Sequence, residues 1–473
     1  ASLATLSGIL MSGSWSQTSN GTYLRELQNR YVSVYGNAAY TFDDKYTATA
    51  SIRYDKSNLW GIDSSQNKPI WSLGGSWNMH RESWLSNVAW LDMLKMRASY
   101  GIGGNVAKDS APYLTAHYYP NYNVGGNYGQ VGSRPNPDLS WEKTTTINIG
   151  FDVAVFHGRL NASIDYYNKK GENLLANTMG VPTEGFGYNT YSINNGEMLN
   201  RGVELSLSGD IIKTKDWTWS ANLLFAYNKN EVTYVNVKAP FYLLQLDYAS
   251  AYPIVGNPYH AIYAYKWAGL SEEGLPQVYD AKGNAVTYNP ADFDAIEYAG
   301  TTTPKYSGSF GTSLRYKNWS LSALFVYAGG HKMRNYFLPM LSNSYNYATW
   351  SYEPSIWAGI NADIKNRWMQ PGDEQHTSIP RLLFADDPLF SSDLYDIYNY
   401  ADVNVLSASN VRIKNISLSY TLPANVLKKC MIKGARFNMN IENLATMASN
   451  KTAKYLMGGY EKPNFVWGIN LDF

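Results

Sequence analysis

This chain is poor in charge, in cysteine and in long apolar runs. Charged residues make up 16% of its 473 positions, against about 25% in soluble domains. The formal net charge is +1, so no basic excess is available for a polyanion, which counts against a nucleic-acid partner. A single cysteine, Cys430, rules out an internal disulfide framework and a cysteine-built metal cluster, and a packed thiol is its default role. No run of about 18 apolar residues occurs, so no helix spans a bilayer. The start, Ala1-Ser2-Leu3-Ala4, has neither the basic region nor the apolar stretch of a signal peptide, and a mature or internal start is expected.

Catalytic and cofactor motifs are missing too. His80, His117, His157, His260, His331 and His376 are scattered, without HExxH spacing or a close pair for zinc. Gly101-Ile102-Gly103-Gly104 is followed by no GK[ST], and no GxSxG elbow exists. Asp292, Asp294 and Glu297 offer hard oxygens for calcium, but their spacing fits no calcium loop, and a solvated acidic loop is the better reading. The expectation is no enzyme, no cofactor and no metal.

Aromatic residues are abundant. They reach 15%, with 40 tyrosines and 15 tryptophans. Such rings suit a lipid–water boundary or a surface that stacks on sugars. They sit within strict alternation. Tyr46, Ala48, Ala50, Ile52 and Tyr54 share one face of a strand, and Thr47, Thr49, Ser51, Arg53 and Asp55 share the other. The same period recurs in Ile147, Ile149, Phe151, Val153 and Val155, in Trp217 through Tyr227, and in Phe465 through Phe473. Period-two patterning over about ten residues is what a tilted strand needs to cross a bilayer. Further strands are predicted near 2–15, 31–41, 70–79, 93–102, 159–168, 201–210, 305–316, 319–328, 410–421 and 434–443. In 410–421 the apolar face shifts between Ile413 and Ile416, which predicts a bulge near Lys414-Asn415.

Connections alternate between short, as at Phe42-Asp43-Asp44-Lys45, Phe156-His157-Gly158-Arg159 and Lys317-Asn318, and long, near 103–143, 171–200, 330–409 and 445–463. Short periplasmic turns and long extracellular loops characterise bacterial barrels. The turns near 211–216 and 317–318 must lie on one side, so 229–304 must hold an even number of crossings. Its one good candidate is 259–268; either a weaker second strand exists or neither spans. The fold class is therefore all-β, a transmembrane antiparallel barrel with about 14–16 strands in this chain.

The long loops carry the candidate ligand surface. Tyr113, His117, Tyr118, Tyr119, Tyr122 and Tyr128 lie in one, and Tyr345, Tyr347, Trp350, Tyr352, Trp357 and Trp368 in another. These rings contact a ligand or a lid, or else pack against their own loop. Tyr31, Tyr35, Tyr40, Tyr46, Tyr54, Trp71, Trp77, Trp217, Trp219, Trp319 and Tyr420 lie on strands and read as interface belts.

Several segments resemble the SusC/RagA family of TonB-dependent outer-membrane transporters. They are Leu94-Lys95-Met96-Arg97-Ala98-Ser99-Tyr100-Gly101 with Gly104-Asn105, Pro137-Asp138-Leu139-Ser140-Trp141-Glu142-Lys143, and Asn195-Gly196-Glu197-Met198-Leu199-Asn200-Arg201-Gly202-Val203-Glu204. The fullest match is Ala408-Ser409-Asn410-Val411-Arg412-Ile413-Lys414-Asn415-Ile416-Ser417-Leu418-Ser419-Tyr420-Thr421-Leu422-Pro423, followed by Glu442-Asn443-Leu444 and a terminal Phe473. Asn366-Arg367-Trp368 and Ile379-Pro380-Arg381 resemble family positions with structural roles. The resemblance implies the C-terminal part of a plugged barrel of about 22 strands. It also implies a SusD-like surface lipoprotein as lid, TonB acting through an N-terminal region, and import of an oligosaccharide or a peptide. Against that pattern the plug, the N-terminal extension, the TonB box and the first barrel strands are missing, and 445–463 departs from the family's last loop. Two rivals stand beside the importer: an outer-membrane barrel enzyme, and a secreted aromatic-rich carbohydrate-binding protein built of sandwiches.

Overall fold

The computed structural model describes residues 31–57, 69–105, 115–120, 125–133, 140–179, 190–335, 343–346, 351–354, 362–383, 387–427, 432–457 and 462–472. The wall is one antiparallel sheet of 13 strands, each bonded to its neighbour in chain order. They are β1 (Tyr31–Phe42), β2 (Tyr46–Ser57), β3 (Ile70–Asn78), β4 (Leu91–Asn105), β5 (Glu142–Val155), β6 (Leu160–Met179) and β7 (Thr190–Lys213). Then follow β8 (Trp217–Val235), β9 (Tyr306–Tyr316), β10 (Trp319–Gly329), β11 (Asn410–Thr421), β12 (Gly434–Ala448) and β13 (Asn464–Asp472). The strand expected at 2–15 lies outside the described residues, and the other predicted wall strands are present.

Register turns the alternation of single strands into continuous rows. Trp77, Met96, Phe151, Ile164 and Leu205 are successive cross-strand partners, and the row runs on through Phe225, Gly308, Tyr327, Val411 and Met447. The next row, on the opposite face, includes Arg97, Gly150, Asp165 and Glu204. Large apolar side chains on the first face, such as Ile164, Trp467 and Ile469, stay exposed. A water-soluble domain avoids an apolar surface of this extent, and the sandwich rival fails because it needs those faces inward. From Trp217 to Tyr227 the apolar face of β8 covers about 33 Å of strand, or about 23 Å across a bilayer at a tilt near 45°. Ring pairs mark its ends. Trp217–Tyr316 (4.2 Å between centroids) and Trp319–Tyr420 (4.5 Å) lie by the short turns, and Tyr227–Tyr306 (5.4 Å) lies by the long loops.

The short connections are tight. Asp43 and Asp44 both take φ of 51°, a left-handed conformation that short-chain polar residues tolerate. The anticipated bulge is present: Ile413 and Asn415 pair across the register shift and leave Lys414 out of the ladder. Lys414 Nζ donates to Asn443 Oδ1 at 3.1 Å, and Asn443 is itself left-handed, with φ of 51°.

Three expectations are corrected. The stretch 171–200 is not mostly loop, since β6 and β7 extend through it and leave only 180–189 between them. The loop expected at 445–463 starts later, because β12 runs to Ala448 and a helix, Lys451–Leu456, follows. The segment 259–268 does not cross: Ala261–Tyr265 is buried at every position and pairs with Ile296–Thr301 outside the wall. No wall strand lies between β8 and β9, so the even count is met with none.

The stretch 236–305 and the described parts of 330–409, both on the long-loop side, pack together into a lobe with its own core. Tyr263, Tyr265, Val278, Ile397 and Ala401 are buried there. Tyr265 N–H donates to Tyr400 O (2.9 Å), and Trp267 N–H donates to Asp402 Oδ1 (3.0 Å). Arg334 donates to Tyr263 O (2.5 Å) and Asn399 O (3.0 Å), locking one stretch to the other.

Candidate ligand surface at the long-loop rim

The family-like motif residues converge where β5, β6 and β7 reach the rim. Ser140 N–H donates to Asn194 Oδ1 (2.8 Å), and Asn194 Nδ2 returns a bond to Ser140 O (2.9 Å). The same amide nitrogen reaches Asn173 O (2.8 Å), where the ladder of β6 is broken and Asn173 takes φ of 57°. Lys143, Glu172, Lys170 and Glu197 form a chain of ion pairs at 2.8–3.2 Å. A side chain at Gly104 would start 2.3 Å from the Trp141 ring, so the glycine lets the indole lie flat on β4.

Beside this clasp is a cavity of 500 Å³, within the range of small-ligand sites. Leu174, Leu175 and Ala176 of β6 and Val232 and Val235 of β8 form its aliphatic side. Glu142 and Glu197 add carboxylates, and Pro253 and Tyr259 come from the lobe. Tyr259 is fixed by its N–H, which donates to Asn230 Oδ1 at 2.7 Å. A second cavity, of 440 Å³, lies near the short turns on the polar face and is lined by small groups such as Ser208, Ser220, Asn222 and Asn415. A third, of 560 Å³, is a furrow among Trp319, Tyr420, Phe437 and Trp467 on the apolar face. Of these three, the rim cavity combines wall, lobe and mixed chemistry.

The predicted aromatic residues divide by position. Tyr119 and Tyr128 face each other across the hairpin Thr115–Pro120/Asn127–Ser133, with ring centroids 5.7 Å apart and planes at 31°. They are 43% and 48% exposed, enough to leave ring area for a ligand. Tyr118 lies on the same hairpin, opposite Gly129 in register. Tyr345 and Tyr352 are partners in the hairpin Asn343–Asn346/Ser351–Pro354. Tyr113, Tyr122, Tyr347, Trp350 and Trp357 lie outside the described residues, as does Cys430. Trp368 is buried instead: its N–H donates to Ile379 O (3.0 Å), Arg381 stands over its ring (5.8 Å), and it packs on Gly274. The structural roles expected for 366–368 and 379–381 are thus present. Asp292 accepts from Asp294 N–H at 3.0 Å as a turn cap, and among the described residues no group of three or more His, Cys, Asp or Glu side chains could hold a metal.

The sequence reading missed the cavity's own residues, Leu174, Leu175, Val232 and Tyr259. Their signal was weak, because they lie where alternation gives way to bulges and to the lobe.

Charge in the lobe is unevenly placed. Tyr400 donates to Asp247, and burial together with that bond holds its phenol protonated well above the ordinary range. Burial, with Asp393 and Asp247 nearby, raises the Asp396 carboxyl above its usual value.

The family described as TonB dependent receptor-like, beta-barrel, matches residues 7–444. The chain belongs to that family. TonB-dependent receptor P3 of Formosa agariphila is 29% identical over 96% of this chain and 44% of its own length. SusC of Bacteroides thetaiotaomicron is 34% identical over 46% of this chain and 23% of its own. The RagAB peptide importer in its closed-closed state superposes with a TM-score of 0.73 at 27% identity, covering 94% of this chain and 48% of that one. This receptor barrel is therefore an outer-membrane protein, its relatives are receptors and transporters rather than enzymes, and the chain spans less than half the length of the curated relatives it matches.

Proposed function

We propose that this barrel serves TonB-dependent import of an oligomeric nutrient, with its long loops facing outward. The observation that carries the reading is the rim cavity between wall and lobe. Its volume of 500 Å³ is enough for one unit of a chain molecule. Its aliphatic side and its two carboxylates, Glu142 and Glu197, suit peptide side chains better than hydroxyl-rich sugar edges. Likeness to the RagAB peptide importer supports the same class. An oligosaccharide is the second reading, favoured by the exposed Tyr119–Tyr128 pair. In this proposal a SusD-like lipoprotein covers the lobe as a lid. A plug and the remaining strands, supplied by the rest of the protein, complete the barrel, and TonB acts through the N-terminal region.

The test is mass spectrometry of the full-length protein extracted from outer membranes. A co-purifying surface lipoprotein and bound peptides are expected, and Leu175→Arg should empty the peptide fraction without loss of the lipoprotein. Bound oligosaccharide instead would shift the class to glycans. Recovery with neither lipoprotein nor oligomer would overturn the importer reading.

A further inference from the structure

Just beyond the apolar band, on the long-loop side, the lipid-facing surface turns cationic in one place. Tyr166, Val203 and Tyr227 are cross-strand partners on that face, and they form the last apolar row of β6, β7 and β8. The next outward row, two residues further along each strand, is Asn168, Arg201 and Lys229. Arg201 and Lys229 are exposed. Neighbouring charges are largely paired off. Lys143 and Lys170 are held by Glu172 and Glu197, and Lys229 touches Glu231 at 2.9 Å. Arg201 makes no ion pair among the described residues. The Lys229–Glu231 contact is open to solvent, where such pairs hold weakly, so the ammonium remains available beside the guanidinium.

We propose that Arg201 and Lys229 bind the phosphate of an outer-leaflet glycolipid headgroup, with Asn168 as a neutral donor beside them. The position supplies the ligand class. Tyr166, Tyr227 and Tyr306 mark headgroup depth, as interfacial tyrosines do, and cations just past that depth meet anionic headgroups. A guanidinium recognises phosphate through two parallel N–H donors, and the lysine adds a point charge. Acyl chains of the same lipid would lie along Val203, Leu205 and Phe225 below. The outer-leaflet assignment rests on the proposed outward orientation of the long loops.

The experiment reconstitutes the full-length receptor in phosphatidylcholine nanodiscs containing monophosphoryl lipid A and counts retained lipid by native mass spectrometry. Retention is expected for the wild type. Each of Arg201→Gln and Lys229→Gln should lower it about fivefold, and Lys213→Gln near the short turns should leave it unchanged. Equal retention by the double variant, equal retention of the dephosphorylated lipid, or displacement by millimolar inorganic phosphate would overturn the proposal. Labelling of Lys282→Cys with an impermeant maleimide on intact cells separates the two readings. Labelled cells combined with unaltered lipid retention sink the headgroup site alone. Unlabelled cells sink the orientation and the outer-leaflet assignment with it.

Discussion

At the scale of single residues, position in a row decides what a side chain must be. Phe151 is 36% exposed and stands between Met96 and Ile164. In water such a ring would be a liability; against acyl chains it is the expected surface. Phe151→Arg should therefore cost about 2–4 kcal/mol at the midplane, measurable by urea titration of folding into lipid vesicles. Stability within error of the wild type would show that this face does not meet lipid. On the opposite face the same charge is accommodated: Arg97 is held by Asp152 at 2.7 Å and by Asp165 at 3.1 Å.

Elements show where alternation stops being a guide. Strands β6 and β7 outrun their alternating parts because they continue past the bilayer, where both faces meet water. Backbone pairing persists there, and apolar–polar alternation has no further cause. The lobe has the opposite reason. Ala261–Tyr265 is covered on both sides, so its sequence reads as one short apolar run, and periodicity cannot tell such a run from a membrane strand. Helix Ser392–Asn399 closes the lobe with Leu394, Ile397 and Tyr398 buried, and it carries the half-buried Asp396. That carboxyl is raised by burial first and by Asp393 and Asp247 second. A raised carboxyl binds more protons folded than unfolded, so its contribution is present below the unfolded value of 3.8 and is lost as pH rises through the folded value. Asp396→Asn should accordingly raise the lobe's thermal midpoint at pH ~7, with the gain fading toward pH ~4. Hydrogen exchange of 392–401 at the two pH values would report it, and a pH-independent gain would assign the effect to packing.

For the whole molecule, the alternation of turn lengths is the organising fact. The turns 43–45, 156–159, 214–216 and 317–318 all lie at one edge of the sheet, and the cavity, the hairpins and the lobe all lie at the other. The proposed ligand surface thereby falls on one rim, with the wall beneath it as scaffold. Removing 345–357 should weaken nutrient uptake severalfold and leave the barrel folded, because its described residues pair with each other and not with a wall strand. Unchanged uptake by the deletion strain would remove that hairpin from the ligand surface.

The sequence by itself determined the wall. Period-two patterning, the turn residues and the shift at Lys414 suffice, because each depends on neighbours one or two positions away and on the lipid that every strand meets alike. Motif resemblance placed the chain in its family for a related reason: Ser140, Gly104 and Trp141 answer to tight local geometry that few other residues satisfy. Only the tertiary structure decided that 236–305 joins the described parts of 330–409 in one buried core, that Trp368 packs on Gly274 while Tyr119 stays open, and that the cavity falls between β6, β8 and the lobe. Those outcomes depend on contacts between segments far apart in the chain, 135 residues for Trp267 with Asp402, and no local period encodes a partner at such a distance.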